Sequence, residues 1–260
     1  MFAGNPLQRY NSHVVGSESL ENFDLFLQSR LSNESTKFLF TNGSKQKKIL
    51  CLRSKSLRDS RLLYLSLHQL LLFKAITSIQ DFIQDNILIL LGCENPQSPD
   101  DLQIWQVVIH LTELESEVLN SFNENLSDAL KLSETEIFFC GGRDLIKQLS
   151  NSSRGSIAIA GQALTMVSWH ERSLYDPSTG EKTVAIECGW KRRSVNFPEA
   201  PKLYPRIDPV VIACVISPDG SQCLLGNMKS MPKNFFSCLA GFIEVSHNII
   251  IMFFYFYSLG

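Results

Sequence analysis

The stretch from Ile87 to Leu111 limits the fold of this chain more than any other. Two apolar runs, Ile87-Leu-Ile-Leu-Leu91 and Ile104-Trp-Gln-Val-Val-Ile-His-Leu111, flank the turn-rich Glu94-Asn-Pro-Gln-Ser-Pro-Asp-Asp101. Runs this short, bounded by Pro, Asn and Asp, read as buried strands, because strands span about 4–8 residues and globular helices need about 10–12. A chain built around them has to contain a sheet.

Other segments add to that frame. Asn42-Gly43 separates two apolar runs between Lys37 and Leu52, and Asn-Gly supplies the positive φ angles of a tight hairpin turn. Between Ser60 and Ile76 the apolar residues are too dense for periodicity to choose strand or helix. Helical spacing marks Glu113 to Leu130, Asp144 to Leu149 and Ser156 to Arg172, the last with Ile157, Ala160, Ala163, Leu164 and Val167 on one face and an end near His170. A polar, turn-rich segment from Tyr175 to Lys182 leads into Val184–Lys191 and a Pro-containing stretch, which together read as a small linker module. Then Val210–Ile216, the turn Ser217-Pro-Asp-Gly220 and Cys223–Leu225 read as a buried hairpin opening a second domain.

Composition narrows the possible functions. With 260 residues and 44% hydrophobic content the chain can build a proper core. Lys and Arg number 24 against 26 Asp and Glu, so there is no excess of positive charge to hold a nucleic-acid backbone by bulk electrostatics. Seven scattered cysteines, never spaced C-x-x-C, exclude a disulfide framework and an intact zinc cluster, and read as free thiols in a reducing compartment. The N-terminus has no secretory or mitochondrial signal pattern, and Ser258-Leu-Gly260 is not a peroxisomal address. The expectation is an intracellular protein, cytoplasmic by default, with peroxisome and mitochondrion left open. Near the end, Ile249 to Tyr257 are nine uncharged apolar residues. A bilayer needs about 20, so no membrane span is expected and the run reads as an aggregation-prone tail.

Four segments occur in a telling order: Phe2-Ala-Gly-Asn-Pro-Leu7, Gln162-Ala-Leu-Thr-Met-Val-Ser-Trp-His170, Tyr204-Pro-Arg-Ile-Asp-Pro-Val-Val-Ile212 and Cys238-Leu-Ala-Gly-Phe-Ile-Glu244. Together they resemble the NADH pyrophosphatase branch of the Nudix hydrolase superfamily, from residue 1 to residue 244. The resemblance implies an α+β chain: a β-rich N-terminal domain (1–165), a degenerate zinc-ribbon-like linker (166–203), the beginning of a Nudix α/β/α sandwich (204–244) and an unrelated apolar tail (245–260). It also implies the activity of the family, a metal-dependent hydrolase that splits NAD(H) into nicotinamide mononucleotide and AMP, some members removing an NAD cap from RNA. Mg²⁺ or Mn²⁺ is the cofactor it implies, with NAD(H), NAD-capped RNA or a second copy of the chain as partners.

The family's chemistry needs carboxylates clustered on one helix face to hold hard cations against a diphosphate. The Nudix box places them as G-x5-E-x7-R-E-U-x-E-E-x-G-U, U being aliphatic. Set on Gly241, it puts its first glutamate on His247, its arginine on Tyr255, the next glutamate on Phe256 and the final pair on Leu259 and Gly260. No carboxylate falls on a metal position, so no catalytic residue is assigned and hydrolysis by this chain is not expected. The apolar tail reads as translated intron, a genuine shortened protein or a gene-model error. The ribbon departs too: Asp176-Pro-Ser-Thr179 stands where the family has its first C-x-x-C, and Ser194 where it has the third cysteine. Only Cys188 lies nearby, off the expected positions, so the resemblance implies a ribbon held by packing and not by zinc.

By resemblance, Tyr204 contacts the nucleotide base, and the Ala240 main-chain carbonyl matches a metal contact in relatives. Against these stand plainer readings: a core tyrosine opening a strand, and a small residue suited to a tight loop. His170 reads as a structural residue at a helix end, satisfying terminal carbonyls or the dipole. Glu244 and His247 on an unpatterned tail make no metal site. The alternative to the family's enzyme is a non-catalytic fragment that binds nucleotides or pairs with a full-length subunit.

Overall fold

The computed structural model describes residues 29–43, 46–54, 60–72, 87–94, 104–111, 124, 128, 135–149 and 154–243. The Phe2–Leu7 motif, nearly all of Glu113–Leu130, and Glu244 with the tail beyond it lie outside the described residues. The chain divides into two compact units, Met1–Pro205 and Arg206–Gly260. Their content is mixed and β-rich, an α+β arrangement.

In the first unit both apolar runs are strands, β4 (Ile87–Cys93) and β5 (Trp105–His110), paired antiparallel with a bulge between Leu90 and Gly92. On its other side β5 runs parallel to β1 (Lys37–Asn42), from Lys37↔Gln106 to Thr41↔His110. The β1–β2 hairpin forms, with β2 spanning Lys48–Ser54, but Asn42 is still in the strand and pairs with Lys48. The turn is therefore wider than a two-residue Asn-Gly turn. Gly43 nonetheless needs its φ of +99°, because a Cβ there would meet the Gln46 carbonyl oxygen at 2.5 Å.

Away from that turn β1 and β2 part to admit a third segment. Strand β3 (Ser60–Leu62) pairs with β2, and the chain continues through mutual hydrogen bonds between Phe38 and Leu65. Helix α1 (Leu67–Leu72) follows, so the ambiguous stretch is strand first and helix second. On the far edge of β2, β6 (Thr135–Cys140) completes a six-stranded sheet.

Side chains alternate across this sheet into two cores. Leu39, Ile49, Cys51, Ile89, Leu91 and Val108 face one way, toward α2 (Gly142–Gln148) and α3 (Arg154–Arg172). Phe38, Phe40, Leu50, Leu52, Leu88, Leu90, Val107 and Ile109 face the other, with Leu31. Each buried Leu, Ile or Phe contributes roughly 1.5–3 kcal/mol, and strands apolar on both faces use both.

Helix α3 lies on the first face through Ile159, Ala160, Ala163, Met166, Val167 and Trp169. Ala160, Ala163 and Val167 lie at the centre of that face as expected, while Ile157 and Leu164 pack against it half-buried, at its margin. Two alanines in its centre let the helix backbone approach the sheet. No helix among the described residues is long and apolar enough to cross a membrane.

After α3 comes a two-stranded hairpin, β7 (Thr183–Ile186) with β8 (Lys191–Ser194). Its turn holds Glu187, Cys188 and Gly189 all at positive φ, 51°, 55° and 84°. That unusual backbone lets the turn fasten to the edge strand β4: Leu90 N–H donates to the Cys188 carbonyl at 3.0 Å, and Trp190 Nε1 donates to the Leu90 carbonyl at 2.7 Å. A Cβ on Gly189 would sit 2.6 Å from the Leu88 carbonyl oxygen and 3.0 Å from Ile89 Cα.

In the second unit, β9 (Val210–Ala213) pairs with β12 (Leu239–Phe242), and β10 (Val215–Ile216) with β11 (Cys223–Leu224). The hairpin expected around Ser217–Gly220 is present, but it is not buried: Ile216, Leu224 and Leu225 are exposed. Two-residue strands form only a narrow ribbon, and among the described residues Val211 and Ala213 are the buried apolar side chains of this unit.

Substituting Gly189 by Ala should destabilise the chain by roughly 2–4 kcal/mol, from left-handed backbone strain together with overpacking against β4. Chemical denaturation measures this, and a change below about 0.5 kcal/mol, the range of an ordinary surface substitution, would mean the turn does not dock there.

Candidate functional site

His170 lies in the last turn of α3 and is fully buried. It does not cap its own helix; Arg172 does, donating from Nε to the Ser168 carbonyl at 3.0 Å. His170 Nε2 instead donates to the Gly189 carbonyl at 2.7 Å, which leaves Nδ1 to accept from Arg192 Nη1 at 2.8 Å. Arg192, also buried, donates in addition to Thr183, Nε to Oγ1 and Nη2 to the carbonyl. This imidazole bridges helix, turn and hairpin. Burial, with the Arg192 charge beside it, holds its pKa down at about 4 against the pull of the Gly189 bond. A neutral, locked histidine is a positioning group, not a proton carrier at neutral pH.

At the other end of the β7–β8 hairpin sits Asp176. Its Oδ1 accepts from Ser178 N–H at 2.8 Å, Ser178 Oγ at 2.6 Å and Thr179 N–H at 3.3 Å, while Oδ2 accepts from Ser194 Oγ at 2.9 Å. Thr179 Oγ1 lies 3.4 Å from Ser194 Oγ. Asp176, Thr179 and Ser194, singled out above for standing at cysteine positions of the resembled ribbon, thus converge on one hydrogen-bonded knot. Hydrogen bonds, first those from Ser178, hold the Asp176 carboxyl below its ordinary range. Apolar packing alone does not close this end. Cys188 stays apart from the knot, packed against the second apolar core.

Tyr204 follows Leu203, whose backbone bridges to Arg192 in β8. It is not a core tyrosine: its side chain is 61% exposed, with Lys191 Nζ 5.1 Å from the ring centroid. Lys191 is in turn steered by Glu187, which also pairs with Lys202 at 2.8 Å. Burial works against ionising Glu187, but the two ammonium groups hold its carboxyl below the usual range. An exposed aromatic ring under a fixed cation suits a flat heterocycle attached to phosphate. Ala240, in the second unit, is an exposed β12 residue opposite Ile212. Among the described residues no group of three or more His, Cys, Asp or Glu could hold a metal ion.

A polar network that sequence reasoning missed lies inside the first unit. Thr41 and His110 face each other across β1 and β5; His110 Nε2 donates to Glu171 Oε1 at 2.9 Å, and Nδ1 pairs with Thr41 Oγ1 at 3.0 Å. The other Glu171 oxygen pairs with buried Lys47. Burial, against the pull of Glu171, holds the His110 pKa below its ordinary value. The available signal was a histidine closing a mostly apolar strand; its partners are far away in sequence.

No protein-family model matches the chain. Among curated proteins it is similar to the NAD-capped RNA hydrolase NUDT12 of Homo sapiens, 42% identical over 109 residues, covering 39% of this chain and 23% of that protein. It is 37% identical over 93 residues to the chloroplastic Nudix hydrolase 19 of Arabidopsis thaliana, covering 36% and 21%. It is 30% identical over 93 residues to the NAD-capped RNA hydrolase NudC of Mycobacterium tuberculosis, covering 36% and 29%. The matches span about a quarter of the length of these relatives.

The buried histidines give a pH dependence of defined sign. A base whose folded pKa is depressed binds fewer protons folded than unfolded, so its stabilising contribution is complete above about pH 6.5. For His170 it is lost as pH falls toward about 4. His170→Gln should remove one proton's share of that slope, about 1.4 kcal/mol per pH unit, from denaturation curves taken between those limits. An unchanged slope would show that His170 titrates normally.

Proposed function

We infer, on the premise that this chain is related to the NADH pyrophosphatase-type Nudix hydrolases, that it carries the nucleotide-recognition part of an NAD(H) diphosphatase. The activity belonging to that family is hydrolysis of the NAD(H) pyrophosphate to nicotinamide mononucleotide and AMP, with removal of an NAD cap from RNA as its extension. The observation that carries the reading is the similarity to NAD-capped RNA hydrolases from both animal and bacterial sources. The exposed Tyr204 ring beneath Lys191, within Tyr204-Pro-Arg, supports a role in binding the base, stacking on one component and attracting phosphate with the other.

The divalent ion of the family does not fit the residues present. The box positions are His247, Tyr255, Phe256, Leu259 and Gly260, none with a carboxylate. Among the described residues no acidic cluster replaces them. The Ala240 carbonyl would offer a single oxygen, where Mg²⁺ requires about six ligands. These residues supply no hydrolytic step, and the function assigned to the chain is binding of NAD(H) or an NAD-capped end without turnover.

The test has two parts. With NADH and Mg²⁺ the purified chain should release no AMP, whereas NAD at about 100 times its Kd should stabilise the fold by about 2.7 kcal/mol. Tyr204→Ala should abolish that shift while leaving the melting temperature without ligand unchanged. Mg²⁺-dependent AMP release would overturn the absence of turnover, and no shift at saturating NAD would overturn the binding role.

A further inference from the structure

In the second unit, β9 and β10 are one strand interrupted at Cys214. The first half pairs with β12 and the second with β11, which continues to the Gly226–Ser237 bridge and so toward β12 again. Cys214 stands at this three-way junction with a cysteine on each neighbour. The register Leu239↔Ala213, carried one residue on, sets Cys238 directly opposite Cys214. The register Ile216↔Cys223 makes Cys223 a diagonal neighbour on the same face, because residues 214 and 216 point the same way. The neighbouring thiols, Cys238 first and Cys223 after it, push the Cys214 thiol above its ordinary range.

Distance selects between these partners. Directly opposed residues of antiparallel strands stand about 4.5–5.5 Å apart at Cα, inside the roughly 4.4–6.8 Å that a disulfide spans. Diagonal neighbours stand about 7–8 Å apart, outside it. Access separates this trio from Cys51, Cys93 and Cys140, which are buried in the first unit: Cys214 and Cys223 are exposed and Cys238 is half-buried, as is Cys188, which belongs to the first unit and has no cysteine opposite it in the β7–β8 register. Since the trio is not arranged to hold a metal ion, thiol–disulfide exchange is the chemistry it offers.

We propose that Cys214 and Cys238 form a modification site at which a low-molecular-weight disulfide, such as oxidised glutathione, installs an intramolecular disulfide. The Cys238 thiolate attacks one sulfur of the oxidant, breaking its S–S bond and releasing a first thiol that takes up the proton Cys238 lost. The Cys214 thiolate then attacks the Cys238 sulfur of the mixed disulfide. This forms the Cys214–Cys238 bond and expels the second thiol, which takes the proton from Cys214. Two protein thiols are oxidised and one small disulfide is reduced to two thiols. The product ties β12 to the β9–β10 junction.

The full chain, treated with oxidised glutathione, alkylated and digested with trypsin, provides the test by mass spectrometry. Cleavage places Cys214 and Cys223 in residues 207–229 and Cys238 in residues 234–260. The expected result is a linkage between these two peptides that survives Cys223→Ser, is lost in Cys238→Ser and is reversed by dithiothreitol. Loss of the linkage in Cys223→Ser, stable glutathione adducts without a linkage, or all three thiols remaining alkylatable would each overturn the proposal. If Cys238→Ser fails to fold, the native chain and Cys223→Ser still decide it.

Discussion

Much of the first unit depends on how the open edge of β4 is closed at Leu90. An edge strand leaves backbone donors and acceptors unpaired, and burying them unpaired costs free energy. Here the β7–β8 turn satisfies both polar groups of Leu90, with the Cys188 carbonyl and the Trp190 indole. To reach them, Glu187, Cys188 and Gly189 take up left-handed backbone, which only glycine adopts without strain. The same turn presents the Gly189 carbonyl to His170. Sheet edge, helix end and hairpin are therefore one hydrogen-bonded assembly.

A second set of polar groups ties the unit together from inside. Glu171 reaches from the end of α3 to His110 of β5 and to Lys47 in the hairpin loop. Next to it, His170 turns toward Gly189 and Arg192. Two consecutive residues at one helix end thus anchor the helix to separate parts of the fold. Networks of this kind specify one packing among the many that an apolar core would tolerate, since every alternative leaves a buried polar group unsatisfied. The depressed histidine pKa values reflect the same burial.

The residues of the β7–β8 hairpin and those after it also link structure to the proposed function. Glu187, at positive φ in the turn, steers Lys191 and Lys202, and Lys191 overlies Tyr204. The backbone that closes the sheet edge therefore also sets the exposed ring that we assign to nucleotide binding. Asp176 occupies the opposite end of the hairpin and gathers donors from Ser178, Thr179 and Ser194. An ionised carboxylate with four short-range donors can hold two loop segments together by hydrogen bonding alone.

The sequence by itself determined the local elements and carried the family resemblance. Apolar runs at Ile87–Leu91 and Ile104–Leu111 could only be buried strands, Asn42-Gly43 marked a hairpin, and Ser156–Arg172 carried a helix, since residue spacing and turn chemistry act over a few positions. The motifs around Trp169, Tyr204 and Gly241 carried the resemblance to NADH pyrophosphatases in the same local way. Tertiary structure decided what these elements meet. It brought β1 parallel to β5, inserted β3 beside β2, and gave His170 a partner nineteen residues away in place of its own helix end. It also gathered Cys214, Cys223 and Cys238, which look scattered in the sequence. Such contacts depend on how strands and helices stack in three dimensions, and no short-range pattern encodes that.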